Sequence, residues 1–228
     1  MLFSELALAP SRKPSHREGD APAGPPPAPM LSRTSTFSRP LLDDEYATMS
    51  SQLKGIVQCF TNSVWNDWQR PWSRATPEAS TGSGFVISTC RRLIITNAHV
   101  VAFASTLQVR KDGDFDKHVA QILAVSHQTD LAIVTVASDA FWLDAIELPL
   151  GETPRLQQHV DVVGFPIGGN SVSITSGVVS RINWSVYSQS REANLVVTVD
   201  TAINNGNSGG PAMSDGHVVG VAFQSPMR

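Results

Sequence analysis

The chain has 228 residues, with 17 Lys+Arg against 20 Asp+Glu and a formal net charge of −3. That near-neutral balance excludes a surface organised around nucleic-acid phosphate, and no apolar run reaches the roughly 18–20 residues of a membrane-spanning helix. Two cysteines with no CxxC or Cys/His cluster exclude a disulfide-dense scaffold and give no zinc site.

Eight of the 15 prolines fall within the first 40 residues, and the run from Pro22 to Pro29 is too proline-dense for helix or sheet. Residues 1–50 are therefore expected to be a disordered, Pro/Ser-rich segment. The opening MLFSELALAP has no basic n-region and its apolar stretch stops at Pro10, which argues against a secretory signal. Arg12, Lys13, Arg17, Arg33 and Arg39 among many Ser and Pro are compatible with an organellar transit peptide, whereas Glu5, Glu18 and Asp20 oppose one. A solvated tail carrying no address explains the same composition. The expected setting is intracellular, in a chloroplast, mitochondrion or nucleus, with Cys59 and Cys90 as free, buried thiols.

From about residue 53 the chain becomes a series of short β-rich runs separated by turn residues. Strands are predicted at 55–60, 83–88, 92–96, 106–110, 118–125 and 130–136. An irregular connector follows at 137–158, with turn signals at Gly151 and Pro154. Strands resume at 159–165, 172–183, 194–200, 211–213 and 217–223. Six strands, a connector and five strands, with no long helical periodicity, predict an all-β domain built as barrels or a sandwich.

The segment Asp200-Thr-Ala-Ile-Asn-Asn-Gly-Asn-Ser-Gly-Gly-Pro211 contains G-x-S-x-G at Gly206 to Gly210. An α/β-hydrolase elbow does not fit it, because that serine must open a helix and be followed in the chain by its acid and histidine. Here Pro211 opens a strand, and the candidate partners lie upstream. His99 follows the apolar strand Ile94-Ile-Thr, and Asp130 stands at the mouth of Leu131-Ala-Ile-Val. The order His99, Asp130, Ser208 is that of the chymotrypsin-like arrangement. Each type has a chemical reason to be there. A serine hydroxyl needs an imidazole to take its proton during attack and to return it to the leaving amine. A buried carboxylate holds the imidazole's tautomer and stabilises the imidazolium. The glycine-rich turn at Gly206, Asn207 and Ser208 lets backbone N–H groups converge on the oxyanion of a tetrahedral intermediate. His16, His118, His127, His159 and His217 lack a comparable context.

These residues resemble the trypsin-like domain of the Deg (HtrA) serine endopeptidases, closest to the plant-type subgroup. The matching blocks are Gly82-Ser-Gly-Phe-Val-Ile87, Thr96-Asn-Ala-His-Val100, Thr129-Asp-Leu-Ala-Ile133, Val163-Gly-Phe-Pro-Ile-Gly168, Val172 to Arg181 and Ala202 to Pro211, within residues 54–225. The resemblance implies two six-stranded β-barrels with the active site between them, an N-barrel at about 54–136 and a C-barrel at 159–228. It implies ATP-independent cleavage of unfolded or damaged polypeptides without metal or organic cofactor, and assembly as a homotrimer. Against that pattern the C-barrel is one strand short, and no PDZ domain is expected in the chain. An unclosed barrel would leave an unpaired edge, so a catalytically impaired, protein-binding or chaperone-like module is the alternative reading. By the same resemblance Ala202 floors the S1 pocket, with Ala222 and Phe223 along its wall, implying aliphatic P1 side chains. Trp65, Trp68 and Trp72 are expected first as core and second as a trimer contact.

Overall fold

The computed structural model describes residues 2–5, 50–65, 67–73, 76–187, 190–201 and 206–223. The first of two barrels is built from β2 (Ile56–Ser63), β3 (Glu78–Ser88), β4 (Leu93–Thr96), β5 (Ala104–Lys111), β6 (His118–Ser126) and β7 (Leu131–Val136). These close in the order β2-β3-β4-β7-β6-β5, every neighbour antiparallel. The alternation in Leu131-Ala-Ile-Val-Thr-Val shows why the runs fold this way. Ala132, Val134 and Val136 turn inward, where they meet Val57, Cys59, Val86, Ile94 and Val109.

The second barrel contains β8 (His159–Gly164), β9 (Ser173–Val186), β10 (Ala193–Val199), β11 (Pro211–Ser214) and β12 (His217–Ala222). Its interior is a valine cluster of Val160, Val162, Val179, Val197, Val199 and Val219 with Ala212 and Ala222. All eleven strands expected from residue 53 onward are present.

The second barrel was expected to lack a strand, and residues 1–50 were expected to be disordered. The five strands expected after the connector are the five found, and Leu2–Glu5 of the N-terminal segment forms β1, which lies between β10 and β12 in the order β1-β10-β9-β8-β11-β12. Leu2 lies opposite Val196 of β10 and Val221 of β12, and both pairings are parallel, the only parallel ladders between described strands. The physical reason is the open edges: β10 and β12 each present unpaired backbone groups that an extended segment satisfies regardless of its sequence. The remainder of the Pro-rich segment, residues 6–49, lies outside the described residues.

A third cluster binds the two barrels together. Ile56 and Phe85 of the first meet Val163, Phe165, Met213, Val218 and Val221 of the second, with Leu148 of the connector between them. The connector is stitched to both sides, since Leu148 N–H donates to Val86 O at 3.0 Å and Gly151 N–H donates to Val218 O at 2.8 Å. This leaves the His99–Asp130 edge of one barrel facing the Ser208 turn of the other.

Two further expectations are corrected. Cys59 is buried inside the first barrel as expected, but Cys90 sits exposed in the β3–β4 turn. The tryptophans are not core: Trp68 and Trp72 are 82% and 81% exposed, and Trp65 stacks on exposed Phe103 with ring centroids 4.3 Å apart. They lie in the long β2–β3 connection, whose described residues from 65 to 77 are exposed.

Candidate active site

β4 ends at Thr96, and the chain turns at once into the single helical turn Ala98–Val101 that carries His99. Asp130 immediately precedes β7 and adopts a left-handed conformation, φ 53°, which aspartate tolerates better than most side chains. Its backbone is pinned there, because its carbonyl accepts Ala98 N–H at 3.1 Å and Asn97 Nδ2 at 2.8 Å. The carboxylate then reaches both faces of His99, with Oδ1 accepting the His99 amide at 2.9 Å and Oδ2 meeting Nδ1 at 2.7 Å. A carboxylate only accepts, so Nδ1 carries the proton and Nε2 is left with its lone pair. The Asp130 side chain is 2% exposed and that of His99 25%, so the pair is shielded on the carboxylate side and open on the imidazole side.

Ser208 stands on the turn before β11 in the other barrel. Its carbonyl accepts Ser83 N–H at 2.8 Å. The next residue, Gly209, has φ +87°, and a Cβ there would fall 2.2 Å from Ser83 O, 2.5 Å from Thr96 Oγ1 and 3.1 Å from Asn97 N. The Ser208 turn therefore lies directly against the Thr96–Asn97 segment that leads into His99, and only glycine permits the approach. Among the described residues no hydrogen bond joins Ser208 Oγ to His99, so the structure brings His99 and Asp130 into contact and Ser208 onto the facing turn.

Gly206 has φ +103°, with no room for a side chain against Phe165 O at 2.4 Å. Its carbonyl is drawn away by Ser83 Oγ, which donates to it at 2.7 Å. Among the described residues no carbonyl accepts from the amides of Gly206, Asn207 or Ser208. The Asn207 carboxamide is fully buried, and among the described residues neither its Oδ1 nor its Nδ2 has a partner. Of the pocket residues, Ala202 lies outside the described residues. Ala222 is buried, accepting Gly209 N–H at 2.8 Å and donating to Gly210 O at 2.9 Å. Phe223 is buried against Tyr187 and Val196. Among the described residues no group of His, Cys, Asp and Glu could hold a metal ion.

Residues 82–221 match the family described as the trypsin-like peptidase domain. The chain belongs to that family. Within it, the Deg-type domain is 46% identical over 173 residues to Putative protease Do-like 3, mitochondrial, of Arabidopsis thaliana, covering 76% of this chain and 31% of that protein. It is 36% identical over 183 residues to Putative protease Do-like 6, chloroplastic, of the same plant, covering 79% of this chain and 82% of the relative. The chain thus spans about a third of the first relative's length. Among solved structures, the active form of the Rv3671c protease from M. tuberculosis superposes with a TM-score of 0.62 at 25% identity, over 76% of this chain and 71% of that one. The HtrA-type protease AlgW with tripeptide shares the fold at TM-score 0.63 and 23% identity, over 77% and 52%.

Sequence reasoning named the candidate triad of this Deg-type domain but missed its supports. Ser83 and Thr96 stood inside quoted blocks without a role, yet Thr96 Oγ1 donates to Ser83 O at 2.7 Å and Ser83 braces Gly206. Their signal was a hydroxyl at a fully buried strand position. Tyr187, whose hydroxyl meets Asp130 Oδ2 at 2.7 Å, stands in no motif.

Proposed function

We propose that the chain is a serine endopeptidase domain acting on unfolded or damaged polypeptides, with His99, Asp130 and Ser208 as its triad. The observation that carries this reading is the His99 Nδ1 to Asp130 Oδ2 hydrogen bond of 2.7 Å on one barrel, facing the Ser208 turn on the other. Asp130 fixes the imidazole with Nε2 toward the barrel junction. Nε2 takes the Ser208 proton as Oγ attacks the scissile carbonyl, and the free amides of Gly206, Asn207 and Ser208 receive the oxyanion. The protonated His99 then protonates the leaving amine, and the acyl group left on Ser208 is hydrolysed by water activated the same way. No step needs a metal or organic cofactor.

The substrate class follows the Deg relatives, as does the expectation of aliphatic P1 side chains above Ala202 between Ala222 and Phe223. Assembly as a homotrimer is the matching quaternary proposal, supported by the exposed Trp65, Trp68, Trp72 and Phe103. An organellar setting is supported by the mitochondrial and chloroplastic designations of these relatives; none of those designations points to the nucleus. Among the described residues no helix is long and apolar enough to cross a membrane.

The test compares wild type with Ser208→Ala on casein and on a fluorophosphonate probe. Wild type degrades casein and is labelled at Ser208, and the variant does neither. Equal cleavage by both proteins would overturn the assignment of the nucleophile. An inert wild type that only suppresses aggregation would favour the chaperone-like module.

A further inference from the structure

Tyr187 lies just beyond β9, where the β9–β10 turn of the second barrel begins, whereas Asp130 belongs to the first. The phenol crosses the junction and donates to Asp130 Oδ2 at 2.7 Å, the same oxygen that His99 Nδ1 contacts at 2.7 Å. Tyr187 is 4% exposed and has its own supports. Its backbone closes the hairpin, with its N–H donating to Glu192 O at 2.9 Å and its carbonyl accepting Arg191 N–H at 2.8 Å. Its ring meets Phe223 edge-on, with centroids 5.4 Å apart at 81°. The same hairpin holds the loop before Asp130 at a second place, where Gln128 O accepts Ser190 Oγ at 3.1 Å and Asn194 Nδ2 at 2.9 Å.

We propose that Tyr187 is a positioning residue of the active site, a strut from the serine-bearing barrel that fixes the Asp130 carboxylate, and through it the His99 ring, relative to Ser208. The inference rests on the serine-protease reading and deepens it. Among the described residues, the Asp130 carboxylate meets three groups: the His99 amide, the His99 ring and the Tyr187 hydroxyl. The first two move with the first barrel, so Tyr187 alone ties the carboxylate to the second. The histidine–aspartate pair and the nucleophile come from different barrels, and their separation is set only as well as the junction holds it. The phenol is suited to the task. Burial and the neighbouring Asp130 carboxylate push its ionisation far above the ordinary tyrosine range, so it stays a protonated donor at any working pH.

The hydroxyl also draws on the charge of Oδ2. Removing it leaves that charge to His99 alone, which stabilises the imidazolium. The experiment uses the full chain as wild type, Tyr187→Phe, Asp130→Asn and the double variant, with kcat and KM measured from pH 5 to 9. Tyr187→Phe keeps the stack on Phe223, so it is expected to fold. Its kcat falls about tenfold with KM little changed, as for a lost hydrogen bond to a charged group. The acidic limb of its kcat/KM profile moves to higher pH. In the Asp130→Asn background the same substitution has little further effect, because Tyr187 acts through that carboxylate.

A Tyr187→Phe protein with wild-type kcat and an unmoved acidic limb overturns the proposal, as does full additivity with Asp130→Asn. NMR titration of the His99 ring in Ser208→Ala, with and without Tyr187→Phe, gives a readout independent of turnover. A higher midpoint without the hydroxyl supports the strut, and an unchanged one overturns it. A wild type that neither cleaves nor takes the fluorophosphonate probe would refute the protease reading alone, leaving this titration to decide on Tyr187.

Discussion

Ser83 donates its hydroxyl to the Gly206 carbonyl at 2.7 Å, joining a strand of the first barrel to the Ser208 turn of the second across 123 residues of sequence. The same oxygen accepts Phe165 N–H at 2.8 Å, and the Ser83 amide donates to Ser208 O at 2.8 Å. One fully buried serine therefore satisfies two backbone groups through its side chain and a third through its amide. By holding the Gly206 carbonyl it fixes the peptide plane between Gly206 and Asn207.

Ser83→Ala retains the amide contact but leaves the Gly206 carbonyl and the Phe165 amide unpaired in a dry site. The expected loss is about 2–3 kcal/mol of stability, the range for stranded buried polar groups. A slower reaction at Ser208 should accompany it, because the Gly206 peptide is free to turn. Chemical denaturation measures the first effect and the rate of fluorophosphonate labelling the second. A stable variant labelled at the wild-type rate would show that the hydroxyl does not hold the turn.

Much of this architecture was legible because it is written in period and order. The alternation in β7 and the valine-rich runs of β8 and β10 announce barrel strands, and His99, Asp130 and Ser208 announce themselves by chemistry in a recognisable sequence. What stayed hidden depends on long-range pairing. β1 has four residues, and its place is set by the vacancy between β10 and β12 rather than by any pattern of its own. Tyr187 is one aromatic in an ordinary hairpin, and only the folded junction shows that its hydroxyl meets Asp130. Trp65, Trp68 and Trp72 misled for the opposite reason, since large apolar side chains read as core wherever they stand. The missing export signal speaks for free thiols at Cys59 and Cys90 but not for where they sit, and the polar turn Ser88-Thr-Cys-Arg-Arg92 leaves Cys90 exposed.

The two thiols should differ sharply in reactivity. Burial inside the first barrel raises Cys59 to about 12 despite the lowering influence of Thr96, so at pH 7–8 almost none of it is thiolate. Cys90 is exposed. Native protein should therefore react with one equivalent of a disulfide reagent at pH 8, at Cys90, and denatured protein with two. Rapid modification of Cys59 in the folded state would contradict the closed first barrel.

The closure of the second barrel rests on four residues. A parallel strand of this length is held by its ladder to β10 and β12. Phe3→Pro removes one backbone donor from that ladder, and a deletion of residues 2–5 removes the strand. Both changes should accelerate amide exchange in 193–199 and 217–222 while leaving the first barrel's strands protected. The deletion should act more strongly than the proline. Unchanged exchange in β10 and β12 would show that their edges are satisfied without β1.

Lys111 is the one buried ammonium among the described residues, 4% exposed on β5, and it holds the connector to the first barrel. Its Nζ donates to Phe141 O at 2.8 Å, pairs with Asp144 and lies 3.5 Å from Asp114. The hydrogen bond from Lys111 is the main influence holding the Asp144 carboxyl below its ordinary value, against a smaller upward push from desolvation. A carboxyl depressed in the folded state contributes stability that is complete above its unfolded value, near pH 4, and is lost as the pH falls through the folded value. Asp144 is half exposed, so solvent screening keeps the contribution to about 1 kcal/mol. Asp144→Asn should accordingly be less stable than wild type by about that amount from pH 5 to 8, with the two converging below the folded value of Asp144. Lys111→Ala should cost more, because it also strands the Phe141 carbonyl and empties the space beneath the ring that the ammonium faces at 5.1 Å. Urea denaturation of the three proteins across that pH range checks both. A constant difference between wild type and Asp144→Asn down to pH 2 would mean that the pair is not what ties the connector to β5.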